Sequence, residues 1–506
     1  MMNKNYIWLF LAFFGLIACE SDDDGGDIIM EEPITSGTAD FSNYVSIGNS
    51  LTAGYTDGAL FIAGQQNSMP SIIASRFALA GGGTFTQPLM SDNIGGVLIG
   101  GNQILENRLF FNGAGPARLP GNPTTDITNI LAGPFNNMGV PGSKSYHLGF
   151  AGYGNIAEVQ AQRANPYFVR FASAPNATIL GDALAQNPSF FSLWTGNNDV
   201  LGYATAGGAG VDRTGDPNVA GYGANDITDP GAFGQIYAGY IAALTANGAG
   251  GVVANVPDVS TIPYFTTVPF NPVPLDQATA GQLNAQLIGP VMAILTQLGQ
   301  GDRLMLLSSS EPNPLLIVDE NLTDFGQQIS GALQQNGVPA EQAQLMGALY
   351  GRARHAKDTD LITLPTSSSI GGTQPGIPAP FNTIGVTYPL QDESVLLPSE
   401  QAAVTAAVDA YNVIIKNQAD AAGLAFVDAN ALLKEVGTTG VTFDEFNLNG
   451  DLVFGNAFSL DGVHPTARGY ALLANRFMAA INATYGSNLP MVKAADYNTV
   501  YPATLQ

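Results

Sequence analysis

The sequence predicts an α/β fold built on a parallel β-sheet, because strand-like and helix-like segments alternate along the chain. Residues 44–48 are a short run of β-branched and aromatic residues that ends at a glycine, as buried strands do. Residues 232–246 have helical spacing and precede a strand-like run at 251–256. The alternation returns near the end of the chain, where a predicted helix at 398–422 precedes a strand at 424–427. Helices between successive strands are typical of parallel sheets.

The composition is that of an acidic globular protein. The chain has 506 residues, of which 45% are hydrophobic, and this is enough for a large buried core. Its 17 basic and 41 acidic residues give a net charge of −24, which argues against nucleic acid or an anionic membrane surface as an electrostatic partner. The single cysteine, Cys19, excludes a disulfide within the chain.

The N-terminus predicts an exported protein. Lys4 precedes an apolar run at residues 7–18, which is too short to span a membrane as a helix but typical of a signal peptide. The run continues into Cys19, and Leu-Ile-Ala-Cys resembles the lipobox of bacterial lipoproteins, in which the cysteine is lipidated. We therefore predict a signal peptide at 1–18, a lipid anchor at Cys19 and a flexible acidic tether at 19–39. The alternative is an ordinary secretory signal with an unrelated cysteine.

The acidic residues at 20–27 concern the cellular location of the protein. They resemble the surface-export signals of Bacteroidota lipoproteins, and the resemblance implies an outer-membrane lipoprotein exposed at the cell surface. We interpret the aspartates themselves as a solvated spacer and not as a calcium site.

A serine follows the first predicted strand at the edge of the sheet. Ser50 lies two residues beyond this strand, at the carboxyl edge where α/β sheets bind ligands. A serine nucleophile needs a base, an orienting carboxylate and oxyanion donors. Residues 137–142 form a Gly- and Pro-rich tight turn that can approach another group closely. Asn197 and Asn198 follow a strand-like run at 189–194, and their amides are suited either to an oxyanion site or to capping the next turn.

Two stretches interrupt the alternation and are predicted to be insertions. Residues 60–134 are irregular and contain only short apolar runs. Residues 308–397 contain helix-like stretches and a Gly- and Pro-rich segment, and we expect them to cover part of the site. We predict one domain at 40–487 that includes both insertions, followed by a polar tail at 488–506. Further helices are predicted at 68–80, 178–185, 282–298, 322–333, 340–350 and 467–485, and a further strand at 303–307.

Three histidines are candidates for a general base. His464 follows Asp461 by three residues, and a carboxylate at that spacing can accept a hydrogen bond from one imidazole nitrogen. The other nitrogen is then free to take a proton from a serine. His355 lies in a basic stretch and is predicted to be solvent-exposed. His147 is predicted to be a structural histidine, with a supporting role at the site as the alternative.

Four separated stretches resemble, in order, the blocks of the SGNH (GDSL) hydrolase family. Gly-Asn-Ser-Leu at 48–51 resembles the serine block, and the turn that ends at Gly142 resembles the glycine block. Gly-Asn-Asn-Asp at 196–199 resembles the asparagine block, and Asp-Gly-Val-His-Pro at 461–465 resembles the Asp-x-x-His block. Each block is weak alone, but all four occur in order, each beside a predicted strand or helix.

The resemblance implies a three-layer α/β/α, flavodoxin-like fold and ester hydrolysis through an acyl-enzyme, without a metal or other cofactor. It assigns Ser50 as the nucleophile, His464 as the general base and Asp461 as the residue that orients His464. The oxyanion donors that it implies are the backbone N–H groups of Ser50 and Gly142 and the side-chain amide of Asn198.

The chain departs from the family's pattern in two ways. Asn49 stands where an aspartate is usual before the serine. Because the nucleophile and the base are unaffected, we expect activity to survive with altered local hydrogen bonding. Ser50 and His464 are 414 positions apart, farther than in compact members of the family, and this agrees with the two predicted insertions.

The family resemblance implies one type of reaction but several classes of substrate. The family covers lipid and lysophospholipid esters, acylated polysaccharides and thioesters. The predicted anchor and the apolar insertions favour lipid or fatty-acyl esters. The alternatives are a carbohydrate O-deacetylase on the same fold, and a non-catalytic lipoprotein that binds lipid or glycan.

Overall fold

Five short strands form a parallel sheet at the centre of the molecule. They are β1 (Tyr44–Gly48), β2 (Asn137–Gly139), β3 (Phe190–Trp194), β4 (Gly250–Ala254) and β5 (Ala425–Val427). In the computed structural model, which describes residues 33–505, their spatial order is β2-β1-β3-β4-β5 and every neighbouring pair is parallel. This is the strand order of flavodoxin-like doubly wound sheets. Strands β1 and β3 are buried along their whole length, as expected for a sheet covered on both faces.

Helices flank this sheet in two groups. The labelled helices are α1 (Ser50–Ala53), α2 (Met69–Phe77), α3 (Asn198–Thr205), α4 (Pro230–Thr245), α5 (Pro398–Ala422), α6 (Ala429–Thr438) and α7 (Ala467–Tyr485). In one group α7 packs against α2, β4 and β5, and in the other α5 packs against α3, α4, β4 and β5. The predicted α/β fold with a parallel sheet is therefore confirmed, and the arrangement is compatible with three α/β/α layers.

Sequence signals fix the ends of the long helices. Helix α5 begins with Pro398 in its first turn and ends before Gly423, which adopts a left-handed φ of 65°. Helix α7 follows Thr466, whose side chain accepts a hydrogen bond from Gly469 N–H. Both helices have the predicted bounds. The remaining α-helices are Ile62–Gln66, Pro166–Val169, Ile179–Leu184, Pro263–Thr266, Gln277–Leu283, Gly289–Gln297, Gly326–Gln335 and Ala340–Tyr350.

The second insertion belongs to a second hydrophobic core. Buried apolar residues between positions 268 and 397 form a cluster distinct from the main core. Its two predicted helices are present as Gly326–Gln335 and Ala340–Tyr350. The insertion therefore packs together with residues 268–307, which precede its predicted start, around a core separate from the main one.

The strand predicted at 303–307 is wrong. Arg303 makes one backbone bond to a strand, its carbonyl accepting from His355 N–H at 2.8 Å, but the next N–H groups bind side chains and no ladder continues. Met305 N–H donates to His355 Nδ1 at 3.0 Å, and Leu307 N–H donates to the Asn284 side chain at 2.8 Å. Strand structure appears farther along, where Leu316–Val318 pairs with Ala353–His355. The other short antiparallel pairs are Val97–Ile99 with Asn102–Leu105, Leu109–Phe111 with Pro116–Arg118, Leu361–Ile362 with Val395–Leu396, and Val441–Phe443 with Phe446–Leu448.

Both ends of the described chain pack onto the main body. Thr38 N–H donates to the Tyr485 carbonyl at 2.8 Å, so residues 34–39, assigned to the tether from the sequence, belong to the folded unit. The C-terminal segment is also packed, because Tyr501 is buried and its carbonyl accepts a hydrogen bond from the guanidinium of Arg108. The predicted signal peptide, Cys19 and most of the tether lie outside the described residues. Within residues 33–505, no helix is both long and apolar enough to cross a membrane.

Candidate active site

Ser50 lies in the first turn of α1, directly beyond β1. Asn49 caps this helix by accepting a hydrogen bond from Leu51 N–H at 3.0 Å, so the chain turns from strand to helix at the serine. Strands β2 and β3 lie on opposite sides of β1, so the chain reverses direction across the sheet at this strand. Ligands of open α/β sheets bind at such a reversal, outside the carboxyl ends of the strands.

The ends of three adjacent strands meet at this edge. Gly48 of β1 pairs with Gly139 of β2 on one side and with Trp194 of β3 on the other. A Cβ on Gly48 would lie 2.4 Å from the Trp194 carbonyl oxygen, and a Cβ on Gly139 would lie 2.4 Å from the backbone nitrogen of Ala53 in α1. The two glycines therefore allow α1 to pack closely on the strand ends, and this places the residues that follow the three strands at one edge.

His464 links the serine to a carboxylate. Its Nε2 lies 2.9 Å from Ser50 Oγ, and its Nδ1 lies 2.9 Å from Asp461 Oδ2. Because an ionised carboxylate can only accept hydrogen bonds, Nδ1 carries the proton and Nε2 is left to accept the hydroxyl proton of Ser50. This is the alignment that a serine nucleophile and its base require.

The carboxylate of Asp461 accepts four hydrogen bonds. Its Oδ1 accepts from the backbone N–H groups of Val463 and His464, each at 2.8 Å, and its Oδ2 accepts from His464 Nδ1 and from Gly58 N–H. Burial acts to raise the pKa of Asp461, but the charge of His464 and the hydrogen bonds outweigh burial and lower the pKa to about 2. Asp461 is therefore ionised at neutral pH and holds the His464 ring through Nδ1.

The residues predicted as oxyanion donors follow the three strand ends. Among the described residues, none accepts a hydrogen bond from the backbone N–H of Ser50 or of Gly142. Gly142 has a φ of 79°, which lets the turn after β2 reverse direction. The Asn198 amide donates to the Ser143 carbonyl at 2.9 Å and has a second N–H for another acceptor. Ser143 Oγ in turn lies 3.3 Å from the Gly48 carbonyl oxygen, so the turn contacts both β1 and Asn198.

Asp199, the last residue of the asparagine block, holds this turn in place. Its fully buried carboxylate accepts hydrogen bonds from the Ser145 N–H at 2.8 Å and from the Ser145 hydroxyl at 2.6 Å. Burial raises the pKa of Asp199, and these hydrogen bonds oppose that effect. The asparagine block therefore contributes the Asn198 amide to the site, and its Asp199 carboxylate holds the turn that follows β2.

The unusual residue before the serine has a specific partner. Asn49 Nδ2 donates to Asn197 Oδ1 at 3.0 Å, a bond that an ionised aspartate at position 49 could not donate. Asn197 Nδ2 is buried and has no hydrogen-bond partner among the described residues. Sequence reasoning considered Asn197 as a cap or as an oxyanion amide and missed its pairing with Asn49, because the two residues are 148 positions apart.

The other two histidines are held differently. The prediction that His355 is solvent-exposed is wrong: it is 6% exposed, lies on the strand Ala353–His355, and burial lowers its pKa to about 4. Its basic neighbour Arg354 is also buried, in ion pairs with Asp319 and Asp360, so the charged sequence does not mark a surface. His147 stacks on Tyr153 at a centroid distance of 4.4 Å, and burial lowers its pKa to about 3. Its contacts are those of a structural histidine.

An apolar cavity of about 110 Å³ lies beside the serine and His464. Ser50, His464, Asn197 and Asn198 supply its polar lining, and the rest of the wall is apolar. Its lining residues come from outside both predicted insertions. The second insertion instead approaches the Asp-x-x-His loop, where a Cβ on Gly462 would lie 3.0 Å from Leu364. Apolar side chains of the wall include Trp194, Val259, Ile262, Leu432, Val436 and Leu472.

One acidic cluster has the spacing of metal ligands. Among the described residues, Glu320, Asp392 and Glu400 place one carboxylate oxygen each within 4.8 Å of one another. Burial raises the pKa of Glu400 to about 8 and the pKa of Asp392 to about 6. Glu400 also accepts a hydrogen bond from Leu397 N–H and so caps the start of α5. Helix capping therefore accounts for Glu400.

Comparison of the chain with protein-family models, with curated proteins and with solved structures found no match.

Proposed function

We propose that this protein is a serine hydrolase of the SGNH type that cleaves carboxylic esters through an acyl-enzyme. The observation that carries the proposal is the continuous relay from Ser50 Oγ through His464 to Asp461, with 2.9 Å at each step. The order of its four sequence blocks and the strand order of its sheet support the same assignment.

In the first half-reaction Ser50 Oγ attacks the ester carbonyl carbon. His464 Nε2 takes the hydroxyl proton, and Asp461 stabilises the resulting imidazolium. The negative charge that develops on the carbonyl oxygen is held by the N–H groups of Ser50 and Gly142 and by the Asn198 amide. Removal of one such donor typically costs about 10²–10³ in rate.

The first half-reaction ends when the ester C–O bond breaks and the alcohol leaves with the proton from His464, which gives the acyl-enzyme. In the second half-reaction water attacks the acyl-enzyme. His464 takes a proton from that water and returns it to Ser50 Oγ, which regenerates the free enzyme. Substrate, water and these side chains supply every proton and electron pair, so the sequence of steps needs no metal or organic cofactor.

The substrate class that we propose is a lipid or fatty-acyl ester. The apolar cavity next to Ser50 supports this choice, because each buried methylene is worth about 0.8 kcal/mol and an acyl chain placed there leaves water. A carbohydrate O-deacetylase needs space for an acetyl group only, and most of this apolar wall is then unused.

The test is hydrolysis of p-nitrophenyl esters from acetate to octanoate by the wild type and by Ser50→Ala. We expect activity to rise beyond acetate and to be lost in Ser50→Ala while the melting temperature is kept. A preference for acetate alone favours the deacetylase. Wild-type activity in Ser50→Ala rejects the mechanism, and no hydrolysis of any ester by the wild type favours a non-catalytic binding lipoprotein.

We further propose that the protein is an outer-membrane lipoprotein anchored through Cys19. The lipobox-like sequence before Cys19 supports this proposal. Metabolic labelling with a fatty-acid analogue should modify the wild type but not Cys19→Ser. Equal labelling of both would contradict the assignment.

A further inference from the structure

A two-residue hairpin follows the nucleophile helix. Thr56 and Ala59 exchange both backbone hydrogen bonds at 3.1 Å, and the two residues between them, Asp57 and Gly58, have φ of 52° and 72°. Asp-Gly with both residues left-handed is typical of a type I′ turn. The hydroxyl of Tyr55 closes the turn by donating to the Gly58 carbonyl at 2.7 Å.

This turn contacts the carboxylate of the relay directly. Gly58 N–H donates to Asp461 Oδ2 at 2.8 Å, the same oxygen that accepts from His464. The side chain of Asp57 holds the preceding residue, because its Oδ1 accepts from Leu460 N–H at 3.0 Å. One turn therefore fixes both the carboxylate of Asp461 and the backbone that carries it.

Two more hydrogen bonds join the same segments. Asp57 N–H donates to Ser459 Oγ at 2.9 Å, and Thr56 Oγ1 donates to the Pro465 carbonyl at 2.9 Å. The bonded residues on the far side extend from Ser459 to Pro465 and so flank Asp461 and the catalytic histidine on both sides. They lie about four hundred positions from the turn in sequence, so this contact joins the first and last blocks of the chain.

We propose that the Asp57–Gly58 turn is the positioning element of the relay, with the Asp57 side chain and the Gly58 N–H fixing Asp461 and, through it, the orientation of His464. Asp57 is a positioning residue and touches none of the reacting atoms. The proposal rests on the hydrolase function proposed above and extends it to residues outside the four blocks.

Asp57 has no other interaction that accounts for a carboxyl group at this position. It is 1% exposed, and its Oδ2 is buried without a hydrogen-bond partner among the described residues. Arg108 is the cation that acts on it, but the guanidinium of Arg108 donates to backbone carbonyl oxygens, among them those of Asn93 and Tyr501. A buried polar atom without a partner costs stability, and the hydrogen bond from Leu460 N–H to Oδ1 is the side-chain bond of Asp57 that opposes this cost.

Three variants separate the hydrogen bond from the shape of the turn. Asp57→Asn keeps an acceptor oxygen and a residue type that tolerates a left-handed φ. Asp57→Gly keeps the turn but removes the acceptor. Thr56→Val removes, at nearly constant side-chain volume, the hydroxyl that donates to the Pro465 carbonyl. If Asp57→Gly does not fold, this variant tests the contact between the turn and residues 459–465.

The kinetic readout is kcat and KM on a p-nitrophenyl ester, with the melting temperature as a check on folding. We expect Asp57→Gly to lower kcat by about 10²-fold with KM unchanged, because a small misplacement of a catalytic group costs about that much. Asp57→Asn should restore kcat to within about threefold of wild type, and Thr56→Val should lower kcat about tenfold.

A second readout does not depend on ester hydrolysis. The proton on His464 Nδ1, shared with Asp461, should give a downfield NMR signal that is assignable because the chain has only three histidines. We expect this signal in the wild type and in Asp57→Asn, and its loss through solvent exchange in Asp57→Gly.

Two results would overturn the proposal. One is a wild-type kcat in Asp57→Gly, or in Thr56→Val if the glycine variant does not fold. The other is an equal loss in Asp57→Asn and Asp57→Gly. If the wild type hydrolyses no ester, the proposed function fails, and the NMR comparison of the two Asp57 variants still decides whether the turn positions His464.

Discussion

The carboxyl edge of the sheet and the second insertion each hold a histidine, but the two ring nitrogens have opposite hydrogen-bonding roles in the two places. At the sheet edge, His464 Nδ1 donates to Asp461 and Nε2 faces the Ser50 hydroxyl. In the insertion, His355 Nδ1 accepts from Met305 N–H, so its proton lies on Nε2, which has no partner among the described residues.

This difference shows that burial and titratability alone do not make a catalytic base. His147 resembles His355, because its Nδ1 accepts from Lys144 N–H at 3.0 Å. A neutral imidazole whose Nδ1 is an acceptor presents an N–H at Nε2 and cannot take a proton there. Only His464 combines a carboxylate on one nitrogen with a hydroxyl on the other.

The largest effect is expected from the histidines themselves. His464→Ala should lower kcat by about 10⁴–10⁶, because loss of the base removes the proton transfer. His355→Asn keeps an acceptor for Met305 N–H and should leave kcat within about twofold of wild type. Steady-state kinetics of both variants checks the comparison, and similar losses in the two would contradict it.

The orienting carboxylate should rank next. Asp461→Asn replaces an acceptor by an amide that can donate to His464 Nδ1 and so favours the wrong tautomer. We expect kcat to fall by about 10³–10⁴ while the protein stays folded. Circular dichroism provides the folding control, and a loss below tenfold would show that Asp461 does not set the tautomer.

The two asparagines sharpen the assignment of the oxyanion donors. Asn198→Ala should lower kcat by about 10²–10³ with little change in KM. Asn197→Ala should cost less, since its oxygen binds Asn49 at the cap of α1. Parallel kinetics on one ester measures the difference, and the reverse order would assign the unpaired Asn197 amide as the donor.

Buried carboxyl groups differ between the two regions as well. In the insertion Asp360 is paired with Arg354 at 2.6 Å, whereas Asp57 at the sheet edge has no such bond. Burial, with Asp461 adding to it and Leu460 and Arg108 opposing it, raises the pKa of Asp57 to about 7. Because the folded pKa exceeds the unfolded value, stability from this group is complete below about pH 4 and falls as the pH rises toward 7.

Asp57→Asn removes this titration. Between pH 5 and 8 the wild type should therefore lose about 2–3 kcal/mol of unfolding free energy relative to the variant. Denaturant unfolding of both proteins at each pH measures the difference, and the other titrating groups cancel. A difference that does not change with pH would mean that Asp57 is ionised throughout this range.

The smallest effect concerns chain length. Val436→Phe fills part of the apolar cavity and should lower kcat/KM for octanoate relative to butyrate by about tenfold, since each excluded methylene is worth about 0.8 kcal/mol. The matched control is Val338→Phe in the second insertion, which should leave the ratio unchanged. If both variants keep the wild-type ratio, the acyl chain does not occupy this cavity.

The parts of the molecule that were predictable are those specified by local sequence. Residues 44–48 and 398–422 were identified because β-branched residues, a helix-starting proline and a terminal glycine act within a few positions. Ser50, Asp461 and His464 were expected to lie together because few residue types suit a nucleophile and its base and the histidines are scarce, and the structure places them in contact.

The parts that were not predictable depend on distant partners. The segment 303–307 has the composition of a strand, but its backbone groups bind side chains of residues far along the chain. His355 lies in a charged stretch whose arginine is neutralised by carboxylates brought in by the fold. The role of Asp57 is not visible locally, because its partners are about four hundred positions away.

The most direct test of the account is labelling with a fluorophosphonate, which reacts with a serine activated by a neighbouring base. Peptide mapping by mass spectrometry should find the adduct on Ser50 in the wild type and in His355→Asn, and no adduct in His464→Ala. An unmodified Ser50 in the folded wild-type protein, or equal labelling when His464 is removed, would contradict the proposal that these two residues form a nucleophile and its base.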